Sequence, residues 1–186
     1  ICYDPHLISI EDASSRLLSL CKVPTKINDD SSQLIEIPIV YGGHRGPDLE
    51  FVSNYHGLDT ETIIATHSDP IYQVYMLGFS PGFPYLGGMP KSIATPRLES
   101  PRKQVPAGSV GIANQQTGIY PSVSPGGWRV IGQTPLILFD PNRNPPAIFS
   151  AGDRLKFVPI DENEFTRISR LVSSVKYNGS SDSAQS

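Results

Sequence analysis

Polar side chains able to do chemistry are sparse in this sequence, and most stand beside glycine, proline or aromatic residues. His67 closes a helical stretch, "LDTETIIATHS" (58–68). A helix C-terminus favours the imidazolium, so titration near neutrality is expected there. Asp48 opens another stretch, in "YGGHRGPDLE", where a carboxylate reads first as a helix cap. Arg97 and Arg102, in "TPRLESPR", carry planar forks that match a carboxylate or a phosphate. By residue type, the arginines could hold a carboxylate or a phosphate and His67 could do acid–base work. Other chemistries lack their signatures. Ser109 has no evident His–Asp partners, and no glycine loop carries GKS or GKT. His6, His44, His56 and His67 form no i,i+4 pair, and no CxxC or HExxH spacing is present, so no metal is expected.

Three ring-rich loops would have to hold such groups. "GFSPGFPYLGGMP" (78–90) follows the apolar run "IYQVYML" (71–77). Gly82 permits positive φ, Pro81 stiffens the path, and Phe79, Phe83 and Tyr85 are too many rings for a solvated loop. They read either as a plug closing a barrel end or as the aromatic rim of a pocket. "VPAGSVGIANQQTGIYPSVSPGGWRVIG" (105–132) has the same texture. Gly108 and Ser109 stand at a turn-to-strand junction whose N–H groups could face an anion. Gln116 and Thr117 precede Tyr120, and Trp128, the only tryptophan, follows a glycine pair and reads as core or as a ligand platform.

The elements that carry these loops are short. "SIEDASSRLLSLC" (9–21) puts Ala13, Leu17, Leu20 and Cys21 on one helical face behind a Ser9–Asp12 capping box. A strand tail plus one helix cannot bury that face, so residues 1–22 are expected to be the last piece of a small α/β domain. A chain starting at Ile1 without Met fits that expectation. Polar residues 23–33 read as a linker. "LIEIPIVYGG" (34–43) alternates as a strand, and Pro38 points it to a sheet edge or bulge. Two short helices follow, stopped by Gly57 and capped by Asp59. From residue 71 onward, runs of four to seven residues alternate with Gly/Pro turns: "IYQVYML", "SVGIA", "TGIYP", "WRVIG", "LILFD", "DRLKFV". That spacing predicts a mainly β fold, a barrel or sandwich within an α+β chain. A closing helix (161–175) with an Asp161–Glu164 box precedes a polar tail (176–186) expected to be disordered.

Bulk composition narrows the function. The chain has 186 residues and a net charge of −3, so no broad basic field draws nucleic acid or anionic lipid. No apolar run approaches the ~18 residues of a membrane span. Cys2 and Cys21, without a secretory signal, read as reduced thiols of a cytoplasmic protein. The 18 prolines, about twice the usual share, are spread out and punctuate strands rather than forming a linker.

The blocks "YGGHRGPDL", "THS", "YMLGFSPGFPYLGGMP", "TPR", "VPAGSVGIANQQTGIYPSVSPGGW" and "IGQTPLILFDP" stand in an order that resembles the family of 5-oxoprolinase B subunits. The same family is described as allophanate hydrolase subunit 1, as the C subunit of the carboxyltransferase domain, and as the kinase inhibitor KipI. The resemblance covers about residues 34–160. It implies a cyclophilin-like β-barrel (34–160) behind a small α/β domain. It further implies ATP-dependent opening of 5-oxo-L-proline to L-glutamate, together with separate subunits designated A and C, the latter a homologous barrel. A KipI-type role would instead make the partner a sensor histidine kinase; a urea-carboxylase-type carboxyltransferase is the other alternative. The site expected from these residues has His67, Asp48 and Arg97 as catalytic groups. Phe79, Pro81, Gly82, Phe83, Tyr85, Gly108, Ser109, Gln116, Thr117, Tyr120 and Trp128 would line a pocket at one mouth of the barrel for substrate or nucleotide.

Overall fold

The computed structural model describes residues 4–21 and 33–178, which belong to two compact units divided after Ser31. In the first unit, helix α1 (Ile10–Cys21) starts where its capping box predicts. The Asp12 N–H donates to Ser9 Oγ at 3.1 Å, and the Ser9 hydroxyl donates to Asp12 Oδ2 at 3.0 Å. Ala13 and Leu17 are half-buried on the expected face, while Leu20 is exposed. The expected linker and most of the tail lie outside the described residues.

The second unit is a closed seven-stranded barrel with a two-stranded ribbon beside it. In chain order its elements are β1 (Leu34–Tyr41), α2 (Leu49–His56), α3 (Thr60–Ser68), β2 (Ile71–Leu77), β3 (Pro84–Gly87), β4 (Arg102–Val105), β5 (Ser109–Ala113), β6 (Gln116–Ile119), β7 (Ser124–Gly126), β8 (Arg129–Gln133), β9 (Arg154–Pro159) and α4 (Glu162–Asn178). The barrel runs β1-β8-β5-β6-β3-β2-β9, and β9 closes it by pairing parallel to β1; β4 and β7 make the ribbon. Closure removes the edge expected at Pro38. The Ile160 N–H donates to Ile39 O, so Ile39 faces β9 and Pro38's nitrogen faces the other side. On that side β8 pairs only from Val40 onward, so the missing N–H costs no ladder bond.

The helix signals hold. The Thr62 N–H donates to Asp59 at 2.6 Å, Gly57 takes the left-handed conformation after α2, and the Glu164 N–H donates to Asp161 at 2.8 Å. One expected strand is absent. "LILFD" makes only a single bridge, Phe139 to Ala147. Prolines surround it, and the Arg143 guanidinium donates to the carbonyls of Ile137, Leu138 and Pro146, the last two shared with the backbone bonds of that bridge.

Two hydrophobic clusters share the barrel wall. Val110, Ile112, Ile119 and Ile131 join the interior core with Ile37, Ile39, Tyr72 and Phe157. Ala113, Tyr120 and Val130, from the opposite faces of the same strands or just beyond them, join Phe83, Val105 and Trp128 in a second, outer cluster. Strand β5 is therefore buried at all five positions, which removes its alternation from the sequence.

Candidate functional site

The outer cluster opens into a cleft of about 380 Å³, bordered by the 78–83 loop, β3, β6 and the β4–β7 ribbon. Seven of the expected residues meet there: Phe79, Phe83, Tyr85, Arg97, Gln116, Tyr120 and Trp128. The rings lie outside the barrel wall rather than at a barrel mouth: Phe83, Tyr120 and Trp128 form a cluster separate from the interior core and pack over the outward faces of β5 and β6, against Ala113, Gly111 and Gly118. Phe83 is their hub, edge-on to Phe79, Tyr85, Tyr120 and Trp128 with centroids 5.2–5.7 Å away. Glycines make the close packing possible. A Cβ on Gly118 would stand 2.8 Å from Phe83 Cζ and 3.1 Å from the Trp128 ring; one on Gly126 would strike the Tyr120 ring. Gly118 was not among the expected site residues. The signal that could have found it is a residue without a side chain at an outward position next to ring-rich neighbours.

The polar groups of the cleft are few. Arg97 is exposed and makes no ion pair or side-chain hydrogen bond among the described residues. Gln116 likewise has a free side-chain amide among them. Burial pushes the Tyr120 phenol above its ordinary range, against the opposing pull of a backbone hydrogen bond at Trp128 and the Arg97 and Arg102 charges. Tyr120 therefore stays a hydrogen-bond donor at neutral pH. The arrangement offers one unpaired cation, one amide and a stacked apolar wall. That suits a small, flat, monoanionic ligand.

The other expected site residues are placed elsewhere. His67 does not end in solvent. It is fully buried, stacked 4.6 Å on Phe157, and meets Thr117, which points to the barrel interior while Gln116 and Gly118 point outward. Thr117 donates its hydroxyl proton to Gly111 O, so it accepts from His67 Nε2–H at 2.9 Å. Nδ1 then accepts from the Tyr41 hydroxyl at 2.8 Å. Burial lowers the His67 pKa to about 3, so the imidazole is neutral, contrary to the expected titration near neutrality. Asp48 does occupy the N-cap position of α2, but its side chain makes no cap bond. It takes the Arg102 fork at 2.8 Å on both oxygens and the Val130 N–H at 2.7 Å. Arg102 is thus committed, and Arg97 alone of that pair is free for a ligand. The Gly108 N–H goes to Tyr120 O and Ser109 is buried in the β5 ladder, so neither faces an anion. Pro81 and Gly82 shape the loop behind Phe79: Gly82 has φ +81° and abuts Phe139.

Phe79 itself has φ 63°, a left-handed conformation rare for a bulky side chain, and its ring is 66% exposed. Such strain costs roughly 1–3 kcal/mol and persists where the position is needed. Phe79→Gly is expected to hold or raise the melting temperature while weakening ligand binding in the cleft. Thermal melts beside ligand titrations check this; a clear fall in melting temperature contradicts the strain.

The profile of the family described as "Carboxyltransferase domain, subdomain C and D" matches residues 1–149. The chain belongs to this carboxyltransferase-domain family. Among its relatives are proteins named as the B subunit of 5-oxoprolinase. That of Bacillus subtilis is 56% identical over 72% of this chain and 55% of its own length. That of Haemophilus influenzae is 55% identical over 72% of this chain and 62% of its own. The chain therefore spans little more than half the length of these curated relatives. A crystal structure of a conserved uncharacterized protein from Pyrococcus horikoshii superposes with TM-score 0.71 at 55% identity, covering 88% of this chain and 74% of that one. The Kluyveromyces lactis urea amidolyase structure shares the fold at TM-score 0.69 and 17% identity, over 90% of this chain and 12% of that one.

Among the described residues no helix is long and apolar enough to cross a membrane, and no group of three or more His, Cys, Asp or Glu could hold a metal ion.

Proposed function

We propose that this chain serves as the B subunit of an ATP-dependent 5-oxoprolinase, and that its outer cleft receives the 5-oxo-L-proline. Three relatives with that name, at 52–56% identity, support the assignment. The observation that carries it is the unpaired Arg97 guanidinium among the cleft's rings. 5-Oxoproline is a flat five-membered lactam with one carboxylate. Arg97 takes the carboxylate through two parallel N–H bonds. The Gln116 amide presents a donor and an acceptor side by side, which matches the C=O and N–H on one edge of a lactam. Phe83, Tyr120 and Trp128 cover the ring methylenes.

ATP, when bound to the complex, supplies the phosphoryl group that makes the lactam carbon electrophilic. The cleft does not fit ATP by itself. One free guanidinium is too little charge for a triphosphate, and no carboxylate cluster for its magnesium stands among the described residues. We therefore assign the nucleotide to the assembly with the A and C subunits, in the cytoplasm where ATP is available. A kinase-inhibitor role would use an aromatic groove without needing a free cation, so Arg97 favours the lactam reading.

The test is reconstitution. The full chain mixed with its two partner subunits, A and C, should consume 5-oxoproline only when ATP is present. Absence of turnover with all three proteins folded and associated overturns the assignment.

A further inference from the structure

The β4–β7 ribbon lies outside the barrel, yet it supplies one side of the cleft through Pro101, Pro125, Gly126 and Gly127. Its attachment decides how wide the cleft is. One backbone bond and one side-chain bond tie its approaches: the Leu98 N–H donates to Gly127 O at 2.8 Å, and the Arg129 side-chain Nε–H donates to Pro96 O at 3.3 Å. The ion-paired attachment is Arg102, the first residue of β4, whose fork grips both oxygens of Asp48 at 2.8 Å.

Asp48 is unusual for a residue at a helix start. Its carboxylate gives nothing to α2, where Ser, Asn or Asp would normally accept an N–H of the first turn. It accepts instead from Val130 at 2.7 Å, and its own N–H donates to Val130 O at 2.9 Å. Val130 lies two residues past Trp128. The buried carboxylate therefore joins three things: the start of α2, the strand that carries the cleft tryptophan, and the ribbon that faces it. Neither Asp48 nor Arg102 lines the cleft.

We propose that Asp48 and Arg102 form a latch that clamps the ribbon onto β8 and so sets the spacing between Trp128, Arg97 and the ribbon wall. They are positioning residues. The binding arm of the test rests on the cleft being the lactam site; the latch itself does not.

The experiment uses the full chain and Trp128, its only tryptophan, as the reporter. Asp48→Asn keeps an oxygen for the Val130 N–H and removes the charge that holds Arg102. Arg102→Gln removes the fork from the other, less buried side and stands in should Asp48→Asn not fold. Arg45→Gln, which breaks the ion pair to Glu162 at α4, is the control. Acrylamide quenching of Trp128 under native conditions should rise in the latch variants and not in the control, with circular dichroism unchanged in all. Affinity for 5-oxoproline should fall by about tenfold or more in the latch variants. Arg102→Lys, which restores the charge without the fork, should recover part of both signals. Unchanged quenching in a folded latch variant overturns the proposal. Raised quenching in the latch variants, with a wild type that itself binds no 5-oxoproline, upholds the latch and refutes the lactam site instead.

Discussion

Replacing Arg97 by Met is expected to weaken 5-oxoproline binding by about 10- to 100-fold while leaving the fold's stability unchanged. The two halves of that expectation have separate causes. Arg97 is exposed and has no ion pair or side-chain hydrogen bond among the described residues, so its removal breaks nothing that holds the barrel. In the proposed lactam complex the same side chain would make a charge-assisted pair beside a wall of rings, and such bonds contribute about 1.5–3 kcal/mol. Arg97→Lys should fall between, because an ammonium supplies charge without the two-pronged match. The decisive comparison uses the carboxamide analogue of the lactam, which lacks the anion. The wild type should lose for the amide about what Arg97→Met loses for the acid, and the variant should hardly distinguish the two. Titrations followed by Trp128 emission measure all four corners. If Arg97→Met binds acid and amide with the same ratio as the wild type, the carboxylate is held elsewhere.

That arginine shows where sequence reasoning succeeds and where it stops. "TPRLESPR" presents Arg97 and Arg102 as equals, five residues apart among prolines. Only the partner distinguishes them, and Asp48 lies 54 positions away from Arg102. Composition at a helix start favours the capping role for Asp48, because local hydrogen bonding is all that neighbouring residues reveal. The ring cluster was legible for a different reason. Phe79, Phe83 and Tyr85 in one loop, and Trp128 behind two glycines, are too apolar for a solvated turn, whatever they pack on. Which side of the wall they occupy was not legible. Strand β5 is buried on both faces, so "SVGIA" shows no alternation from which to read inside and outside. Short runs between Gly and Pro turns were enough for a barrel. They were not enough to exclude "LILFD", whose carbonyls are served by Arg143.

Acid is expected to unfold this domain through His67 before its carboxylates matter, and the sign follows from burial. The unfolded chain protonates a histidine near pH 6.5, whereas His67 in the folded state does so only at about 3. Between those values the unfolded state binds the extra proton, so stability falls as pH falls. At ~1.4 kcal/mol per pH unit the loss reaches about 4–5 kcal/mol by pH 3, a large part of a typical domain's stability. Asp59 and Glu164 act in the same direction but lower down. The Thr62 hydrogen bond and the Arg167 fork hold them below the ordinary carboxylate range, and their contribution fades only as pH falls through that range. Urea unfolding of the wild type from pH 7 to pH 4 should therefore show a decline that begins above pH 6. His67→Gln separates the causes. Its amide can donate to Thr117 and accept from Tyr41, but it lacks the ring that stacks on Phe157. It should be less stable by about 1–3 kcal/mol at pH 7 and nearly flat down to pH 5, so the two curves converge as the medium becomes acidic. Parallel curves would mean that His67 titrates in the folded state near its unfolded value, as its position at a helix end first suggested.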